Sequence, residues 1–192
     1  MIPQVLRETA LKYPRPLIEA QLIDIPRVAF HISLVIRAVG ARSVLCDIGG
    51  GIGTFSPACA ALGMKVTLAD DFHEGPSDAL RLHRDLGVTV TSRDAAFPPN
   101  CFDAITAFDY DSDAAPSLES LRPGGVFIMS IPNERPRSVL RLRSLAKALY
   151  LRRVRIVGRN WTVRRRYLYR LADHILRLRP SLCTNLYLIG HK

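Results

Sequence analysis

The chain lacks any long uncharged apolar run, and its first residues lack the basic, apolar and small-residue order of a signal peptide. A transmembrane helix needs about 20 consecutive apolar residues, so the sequence indicates neither membrane spanning nor secretion. We therefore expect a cytoplasmic protein, with peripheral contact at the inner face of the membrane left open.

Cysteine is scarce and none of it follows metal-binding spacing. The four cysteines form no Cys-x-x-Cys pair, three of them lie in apolar runs, and the five histidines form no ligand pair. This pattern favours reduced thiols in a core over disulfides or zinc, and we expect no metal site. The cysteines are Cys46, Cys59, Cys101 and Cys183.

Acidic residues are scarce in the C-terminal third. Residues 134–192 hold 2 of the 17 Asp and Glu residues but 16 of the 27 Lys and Arg residues, a net charge of +14, whereas residues 1–133 carry −4. Such an excess is larger than solubility requires, and arginine binds phosphate through a bidentate fork. The segment suits a phosphate-bearing partner, but two surface helices with solvated arginines would explain it equally well.

Two amphipathic helices are predicted inside this basic segment. Apolar residues recur at helical spacing from Val139 to Leu149 and again over 162–178, with arginines at the other positions. Nearby aromatic residues suit contact with anionic lipid headgroups. These aromatic residues are Tyr150, Trp161, Tyr167 and Tyr169.

Elsewhere the sequence alternates apolar strands with helices, an order that predicts a parallel sheet. The length of 192 residues and the hydrophobic content of 48% suit one compact domain. A helix over 26–39 begins with Pro26 and stops at Gly40, and Val154–Val157 supplies a brief edge strand or none. The other predicted strands cover 43–48, 64–69, 88–91, 102–108, 125–131 and 184–190, and the other predicted helices cover 53–62, 76–86 and 115–121.

The most informative stretch is Val44–Thr54, where an apolar strand runs into Asp-x-Gly-x-Gly-x-Gly. Glycine lacks Cβ, so such a loop turns sharply and brings backbone against a ligand. A second apolar strand ends in Asp70, and a carboxylate at a strand tip can accept both hydroxyls of a ribose. Together these features predict a pocket for a nucleoside-containing ligand.

The glycine spacing distinguishes between nucleoside ligands. Dinucleotide folds use G-x-G-x-x-G, whereas here the third glycine comes one residue early and Thr54 stands in its place. The tight spacing resembles that of the class I S-adenosylmethionine-dependent methyltransferases. Further matches to that family follow in order, as Arg93-Asp94-Ala95, Cys101-Phe102-Asp103-Ala104-Ile105, Leu121-Arg122-Pro123-Gly124-Gly125-Val126-Phe127 and Ser130-Ile131-Pro132-Asn133.

The resemblance implies a Rossmann-like, doubly wound α/β fold. In this fold a mostly parallel sheet with an antiparallel last strand lies between helical layers, a three-layer αβα arrangement. The whole of 1–192 would form one methyltransferase domain. Within it we expect an N-terminal helical cap over 1–41, a cofactor-binding core over 42–133 and a basic helical segment with the final strand over 134–192.

The resemblance also implies S-adenosylmethionine as cofactor, with no metal. Three glycines would approach the amino-acid portion of the cofactor, Asp70 would hold the ribose, and Asp94 with the Ala95 backbone would meet the adenine. Asp47 would support the loop, although Asp70 and Asp94 can also be explained as loop caps. The full set of expected cofactor residues is Asp47, Gly49, Gly50, Gly51, Gly53, Asp70, Asp71, Asp94, Ala95 and Phe108.

The general base is less clearly indicated. Many relatives carry a Glu-His pair just after the fourth strand, where this chain has Asp109 and Asp111 in a shorter segment. Either carboxylate can deprotonate a hydroxyl, but Asp-Ser-Asp before a helix is also typical of a cap. His31 and His73 are alternative bases, and a single histidine is more often packed or solvated.

These features predict an enzyme that methylates a small anionic acceptor. The acceptor would be a phosphorylated, nucleotide-linked or lipid-linked molecule such as a sugar of cell-surface glycan biosynthesis. RNA is a weaker candidate, since the aromatic motif that base methyltransferases carry after the fourth strand is missing. A catalytically silent methyltransferase-like module, which binds RNA, membrane or a partner enzyme, is the alternative from another class. The oligomeric state is not indicated.

Overall fold

A computed structural model describes residues 1–71, 77–109, 117–133, 138–160 and 179–192. Seven strands form one sheet in these residues. They are β1 Val44–Ile48, β2 Lys65–Ala69, β3 Thr89–Thr91, β4 Phe102–Ala107, β5 Leu121–Pro132, β6 Arg152–Arg159 and β7 Asn185–His191. Their order in the sheet is β3-β2-β1-β4-β5-β7-β6. Strands β1 to β5 run parallel, and β7 lies antiparallel between β5 and β6.

Helices cover both faces of this sheet. The longest, α3, has Pro26 in its first turn, buries Val28, Ile32 and Val35 on one face, and ends at Gly40, whose φ of +86° favours glycine. One face of the sheet packs against α1, α3 and α4, and the other packs against α6. The helices are α1 Ile2–Ala10, α2 Arg15–Ile23, α3 Ile25–Val39, α4 Phe55–Ala61, α5 Ser77–Asp85 and α6 Ser138–Ala148.

The observed architecture confirms the predicted doubly wound, mostly parallel sheet with an antiparallel last strand. Strand β1 lies between β2 and β4, so the sheet is built outward from its centre in both directions. The carboxyl ends of these parallel strands meet at one edge, where open α/β sheets bind ligands. The fold therefore brings the loops after β1, β2, β3 and β4 together.

The strand predicted at Val154–Val157 lies at the sheet edge as expected, but the prediction that it is brief or absent is wrong, because β6 is eight residues long. Four consecutive side chains from Arg152 to Arg155 are exposed, and such a strand lacks the apolar pattern from which strands are predicted. Its pairing with the inner strand β7, including Ile156 beside Leu188, holds it in the sheet. Edge strands with charged side chains also avoid unwanted strand pairing.

The predicted helix over 115–121 is absent from its described part. Residues 117–120 form a coil and turn, and β5 begins at Leu121. The carbonyl of Ser120 accepts hydrogen bonds from the backbone N–H groups of Cys101 and Phe102. Because these bonds fix the turn against the start of β4, its carbonyl is not available for a helical bond. Residues 115 and 116 and the predicted helix over 162–178 lie outside the described residues.

The cysteines are all free, as the sequence predicts. Three are buried, and burial raises the pKa of Cys46 to about 12, so that thiol stays protonated.

Within the described residues, no group of three or more His, Cys, Asp or Glu side chains is arranged to hold a metal ion. Among the helices that the structure describes, none combines the length and the apolar character needed to cross a membrane.

Candidate functional site

The candidate site lies at the carboxyl edge of the sheet. Register pairs Ile48 at the end of β1 with Ala69 at the end of β2, and pairs Asp47 with Thr106 of β4. The glycine loop follows β1 directly, and Asp70 follows β2. The sheet therefore places the two features that predict a nucleoside pocket side by side.

The glycine loop turns sharply over the strand ends. Gly49 and Gly51 have φ values of +67° and +60°, which side chains rarely adopt, and the N–H of Gly49 donates to the carbonyl of Ala69 at 2.9 Å. A Cβ built on Gly50 would lie 2.0 Å from Oδ2 of Asp47. By contrast, a Cβ on Gly51 would meet no atom within 4 Å, so the loop borders open space there.

Asp47 is buried below the loop and supports it. Ser56 Oγ donates to its Oδ2 at 2.7 Å, and Thr106 Oγ1 donates to its Oδ1 at 2.8 Å. Desolvation by burial raises the pKa of Asp47 to about 6, and the nearby Asp70 charge adds to the rise, while the two hydroxyl hydrogen bonds oppose it. Asp47 therefore has no access to a ligand and supports the loop from behind.

Asp70 is placed to hold a hydroxylated ligand. Its Oδ2 accepts the backbone N–H of Gly51 at 2.6 Å, its Oδ1 lies 3.5 Å from a guanidinium nitrogen of Arg93, and its side chain is 11% exposed. A carboxylate has about four acceptor positions, so these two contacts leave positions for hydroxyl donors. The same bond fixes the glycine loop relative to the end of β2.

Asp71 connects the end of β2 to the turn after β3. Its Oδ1 accepts from Ser92 Oγ at 3.3 Å and from the backbone N–H of Arg93 at 3.4 Å. The hydroxyl of Ser92 accepts the N–H of Asp94 at 3.3 Å, and the N–H of Ala95 donates to the Ser92 carbonyl. This arrangement brings Asp94 and Ala95 to the same edge as Asp70, with the Asp94 side chain exposed.

An aromatic cluster closes the other side of the edge, beyond β4. The ring of Phe108 stacks on His31 with centroids 3.9 Å apart and meets Phe55 edge to face at 5.0 Å. His31 Nε2 lies 3.0 Å from the hydroxyl of Tyr187 on β7. Burial, with the nearby charge of Arg27, lowers the pKa of His31 to about 3, so its imidazole is neutral at physiological pH.

Asp109 is held by its neighbours from both sides. It adopts a φ of +52°, donates its backbone N–H to Ser130 Oγ at 2.8 Å, and accepts from that hydroxyl at Oδ1. Its Oδ2 pairs with Arg27 of α3, whose guanidinium also pairs with Asp24 at 2.6 Å. Both carboxylate oxygens of Asp109 are therefore engaged. The other two candidate bases, Asp111 and His73, lie outside the described residues.

Several residues that build this site are not indicated by the sequence motifs. Tyr13, which precedes α2, donates its hydroxyl to the carbonyl of Gly53 at 2.8 Å and is buried. Thr106 is the polar residue in the buried run Ala104–Ala107 of β4, and that exception is a usable signal for a buried partner of Asp47. Tyr187 and Arg27 carry no such signal, because only the three-dimensional fold brings them to β4.

The sequence of the chain matches no family model and no curated protein. Solved structures match its fold. One is a 1,6-didemethyltoxoflavin-N1-methyltransferase from Burkholderia thailandensis, determined with 1,6-didemethyltoxoflavin and S-adenosylhomocysteine; it has a TM-score of 0.61 and 17% identity, over 98% of this chain and 88% of that one.

Two further structures give the same result. An S-adenosylmethionine-dependent methyltransferase from Archaeoglobus fulgidus has a TM-score of 0.60 and 14% identity, over 87% of this chain and 94% of that one. Phosphoethanolamine N-methyltransferase 2 from Haemonchus contortus, in complex with S-adenosyl-L-methionine, has a TM-score of 0.59 and 16% identity over 85% of this chain. The chain spans about half the length of the Haemonchus protein, 52%. This chain therefore has the Rossmann-like fold of S-adenosylmethionine-dependent methyltransferases.

Proposed function

We propose that this protein is an S-adenosylmethionine-dependent methyltransferase. The observation that carries the proposal is the glycine loop joined to Asp70 through the Gly51 N–H, with open space at Gly51 and free acceptor positions on Asp70. Structurally similar methyltransferases were determined with S-adenosylmethionine or S-adenosylhomocysteine, and open α/β sheets bind ligands at the carboxyl edge where this pair lies. The residues present therefore fit an adenosyl ligand.

Each described element of the site has a role in holding that ligand. Gly51 and Gly53 would lie against its amino-acid portion, because neither presents a side chain there. Asp70 would accept the ribose hydroxyls, and the Asp94–Ala95 turn would border the adenine. The sulfonium of the cofactor supplies an activated methyl group, so the protein has to align the acceptor and take up its proton.

We propose a small anionic acceptor, phosphorylated or linked to a nucleotide or lipid, such as a sugar of cell-surface glycan biosynthesis. Arg159, at the end of β6, lies with its guanidinium carbon 4.2 Å from the centroid of the Phe30 ring, and Phe30 packs edge to face on Tyr187. Arg27 also lies near His31 of this cluster, but its guanidinium is paired with Asp24 and Asp109. The guanidinium of Arg159 next to a largely apolar wall suits an anion with an apolar portion.

For the proton of the acceptor we propose Asp111, two residues beyond the described end of the Phe108–Asp109 turn. A base must be within hydrogen-bond reach of the proton that it removes. Asp109 and His31 are second choices, because the former is paired with Arg27 and Ser130 and the latter is a buried, weakly basic imidazole. Asp111→Asn should lower turnover and leave affinity for S-adenosylhomocysteine unchanged.

The proposal is tested by two measurements. The first is binding of S-adenosylhomocysteine by calorimetry, and the second is transfer of labelled methyl from S-adenosylmethionine to cell-envelope precursors or, in parallel, to RNA. Binding with transfer to a phosphate-bearing small molecule supports the proposal. Transfer to RNA would reject the acceptor class, and absence of binding would reject the methyltransferase itself.

A catalytically silent module with the same fold is the second candidate. The engaged carboxylate of Asp109 and the buried imidazole of His31 favour it, since neither described candidate base is free to accept a proton. A silent module would bind S-adenosylhomocysteine but would transfer no label to any extract. The binding and transfer measurements together therefore distinguish an active enzyme from a silent module.

A further inference from the structure

A groove on the face of the sheet opposite α3 carries an unusual combination of charge and apolar surface. It lies between α6, the edge strand β6 and the single-turn 3₁₀ helix Pro180–Leu182, with a volume of about 760 Å³. Its wall is mainly aliphatic and its cationic side chains are exposed. Leu151, Val154 and Ile156 contribute apolar surface to the groove, and Arg143, Lys147 and Arg179 contribute positive charge.

The charge around this groove has one sign. Residues 138–160 and 179–192 contain nine Lys and Arg and no Asp or Glu. Arg143 and Lys147 are one helical turn apart on α6, and within the described residues neither forms an ion pair. Since no acidic residue of this region neutralises them, the rim of the groove attracts an anion.

Exposed apolar side chains lie among these charges. Tyr150, in the turn between α6 and β6, is 89% exposed, Leu140 is 57% exposed and Val154 is 38% exposed. Apolar side chains in a basic surface are typical of proteins that insert into the headgroup region of an anionic bilayer. Single-stranded nucleic acid fits less well, since its bases stack on aromatic platforms and none of the described residues that line this groove is aromatic.

We propose that this surface binds an anionic membrane, with a lipid phosphate at Arg143, Lys147 and Arg179 and the upper part of an acyl chain along Val154 and Ile156. The occupant is argued from charge complementarity. The neighbouring segment 161–178 itself carries five Arg and one Asp, so its charge does not complement the rim. The surface requires no methyl transfer, and the proposal stands or falls independently of the proposed enzyme activity.

Co-sedimentation of the full chain with vesicles tests this proposal. Vesicles of equal parts phosphatidylglycerol and phosphatidylcholine should bind the protein at physiological ionic strength, and pure phosphatidylcholine should not. The double variant Arg143→Glu/Lys147→Glu should weaken binding at least about 30-fold, because loss of each basic residue near an anionic surface costs on the order of fivefold and the added carboxylates are repelled. Both side chains are exposed, so the fold should be retained, and circular dichroism checks it.

Matched controls separate the groove from the overall positive charge. Arg37→Glu/Arg42→Glu makes the same change of charge at two exposed positions near the amino-terminal edge of the sheet, and it should weaken binding far less. Val154→Ser should lower affinity on the order of threefold, whereas Leu11→Ser, at an exposed leucine of the N-terminal region, should leave it unchanged.

Four results would overturn the proposal. Equal weakening by the two double variants would show that only net charge matters, and unchanged binding in Arg143→Glu/Lys147→Glu would place the contact elsewhere. Tighter binding of a single-stranded RNA than of the anionic vesicles, lost in the same variant, would make the partner nucleic acid. Inorganic phosphate should displace the protein from the vesicles no more strongly than another salt of equal ionic strength, which supports the lipid assignment. Stronger displacement by phosphate would reject that assignment.

Discussion

The backbone N–H of Gly51 donates a hydrogen bond of 2.6 Å to Oδ2 of Asp70. This bond connects the loop after β1 to the end of β2, and it joins the two features that the sequence predicts to contact one ligand. An acidic side chain that accepts from the loop and keeps free acceptor positions can organise the site before a ligand arrives. Asp70 therefore has both a structural and a binding role.

Asp70→Ala should lower affinity for S-adenosylhomocysteine on the order of 100-fold, because hydrogen bonds to a charged group contribute about 1.5–3 kcal/mol each. Isothermal titration calorimetry measures this change. Asp78→Ala, at an exposed carboxylate on α5 that pairs only with Arg81 among the described residues, is the matched control and should bind normally. Unchanged affinity in Asp70→Ala would remove that residue from the site.

Two glycines of the same loop should differ in how much stability they lose on substitution by alanine. A Cβ on Gly50 would lie 2.0 Å from the buried carboxylate of Asp47, whereas a Cβ on Gly53 would have its nearest contact, the Gly50 carbonyl, at an ordinary 3.6 Å. Gly50→Ala should lower the free energy of unfolding by about 3 kcal/mol, the upper range for overpacking a core. Gly53→Ala should change it by less than about 1 kcal/mol. Urea denaturation compares the two variants.

Gly53→Ala then becomes a probe of the ligand, since its fold is retained. If the amino-acid portion of the cofactor lies against this glycine, the added methyl group should weaken S-adenosylhomocysteine binding at least about tenfold, a cost within the range for overpacking. A stable Gly53→Ala variant with normal affinity would place the ligand away from Gly53. An equally stable Gly50→Ala variant would contradict the geometry of the loop.

The cofactor half of the site could be predicted from sequence because it is local. The glycine spacing and the acid at a strand tip are each patterns of a few residues, and they indicate where the backbone turns and where a ligand can approach. The parallel sheet then places Gly51 beside Asp70. The strands of the core could also be predicted, since buried strands are continuous apolar runs. Strand β6 could not be predicted from sequence, because its arginines indicate a solvent-exposed segment. Only its pairing with β7 makes it a strand.

The acceptor side of the site could not be predicted because its contacts join distant residues. Tyr187 and His31 are in contact although they are 156 residues apart in the sequence, and Arg27 and Asp109 are paired although they are 82 residues apart. Nothing in either residue's local pattern distinguishes it from a surface or core residue of the same type. The sequence motif therefore identifies Asp109 as a candidate base, while the structure shows a carboxylate paired on both oxygens.

We expect Asp109 to hold the turn after β4 in position. In that role Asp109→Asn and Arg27→Gln should lower turnover by similar amounts, and the double variant should be no worse than either single variant, because both changes remove the same contact. Both side chains are about one-third exposed, so the coupling in unfolding free energy should be about 1 kcal/mol or less.

Kinetics of the three variants with an accepted substrate, and urea denaturation, check this prediction. Asp24→Asn serves as a control, since Asp24 pairs with the same guanidinium from the other side and does not contact the turn. Loss of nearly all turnover in Asp109→Asn, with Arg27→Gln still active, would instead identify Asp109 as the base.

Two buried groups should give opposite dependences of stability on pH. Asp47 has a pKa of about 6 in the folded chain and an ordinary value of 3.8, so the folded state binds this proton more tightly than the unfolded state does. The resulting stabilisation is fully present below about pH 4 and is lost as the pH rises through 6. His31 has a pKa of about 3 in the folded chain and an ordinary value of 6.5, so its contribution is present above pH 6.5 and is lost as the pH falls. Between pH 4 and pH 6 the two effects oppose each other.

Single variants should separate these effects. The free energy of unfolding of the wild type minus that of Asp47→Asn should rise by on the order of 3 kcal/mol from pH 7 to pH 4, since a pKa difference of about two units corresponds to that energy. The same difference for His31→Gln, which can still hydrogen-bond to Tyr187, should fall over this range. Urea denaturation at several pH values measures both curves. A flat curve for Asp47→Asn would mean that water reaches the carboxylate, and Asp47 would then face the ligand cleft instead of lying beneath the loop.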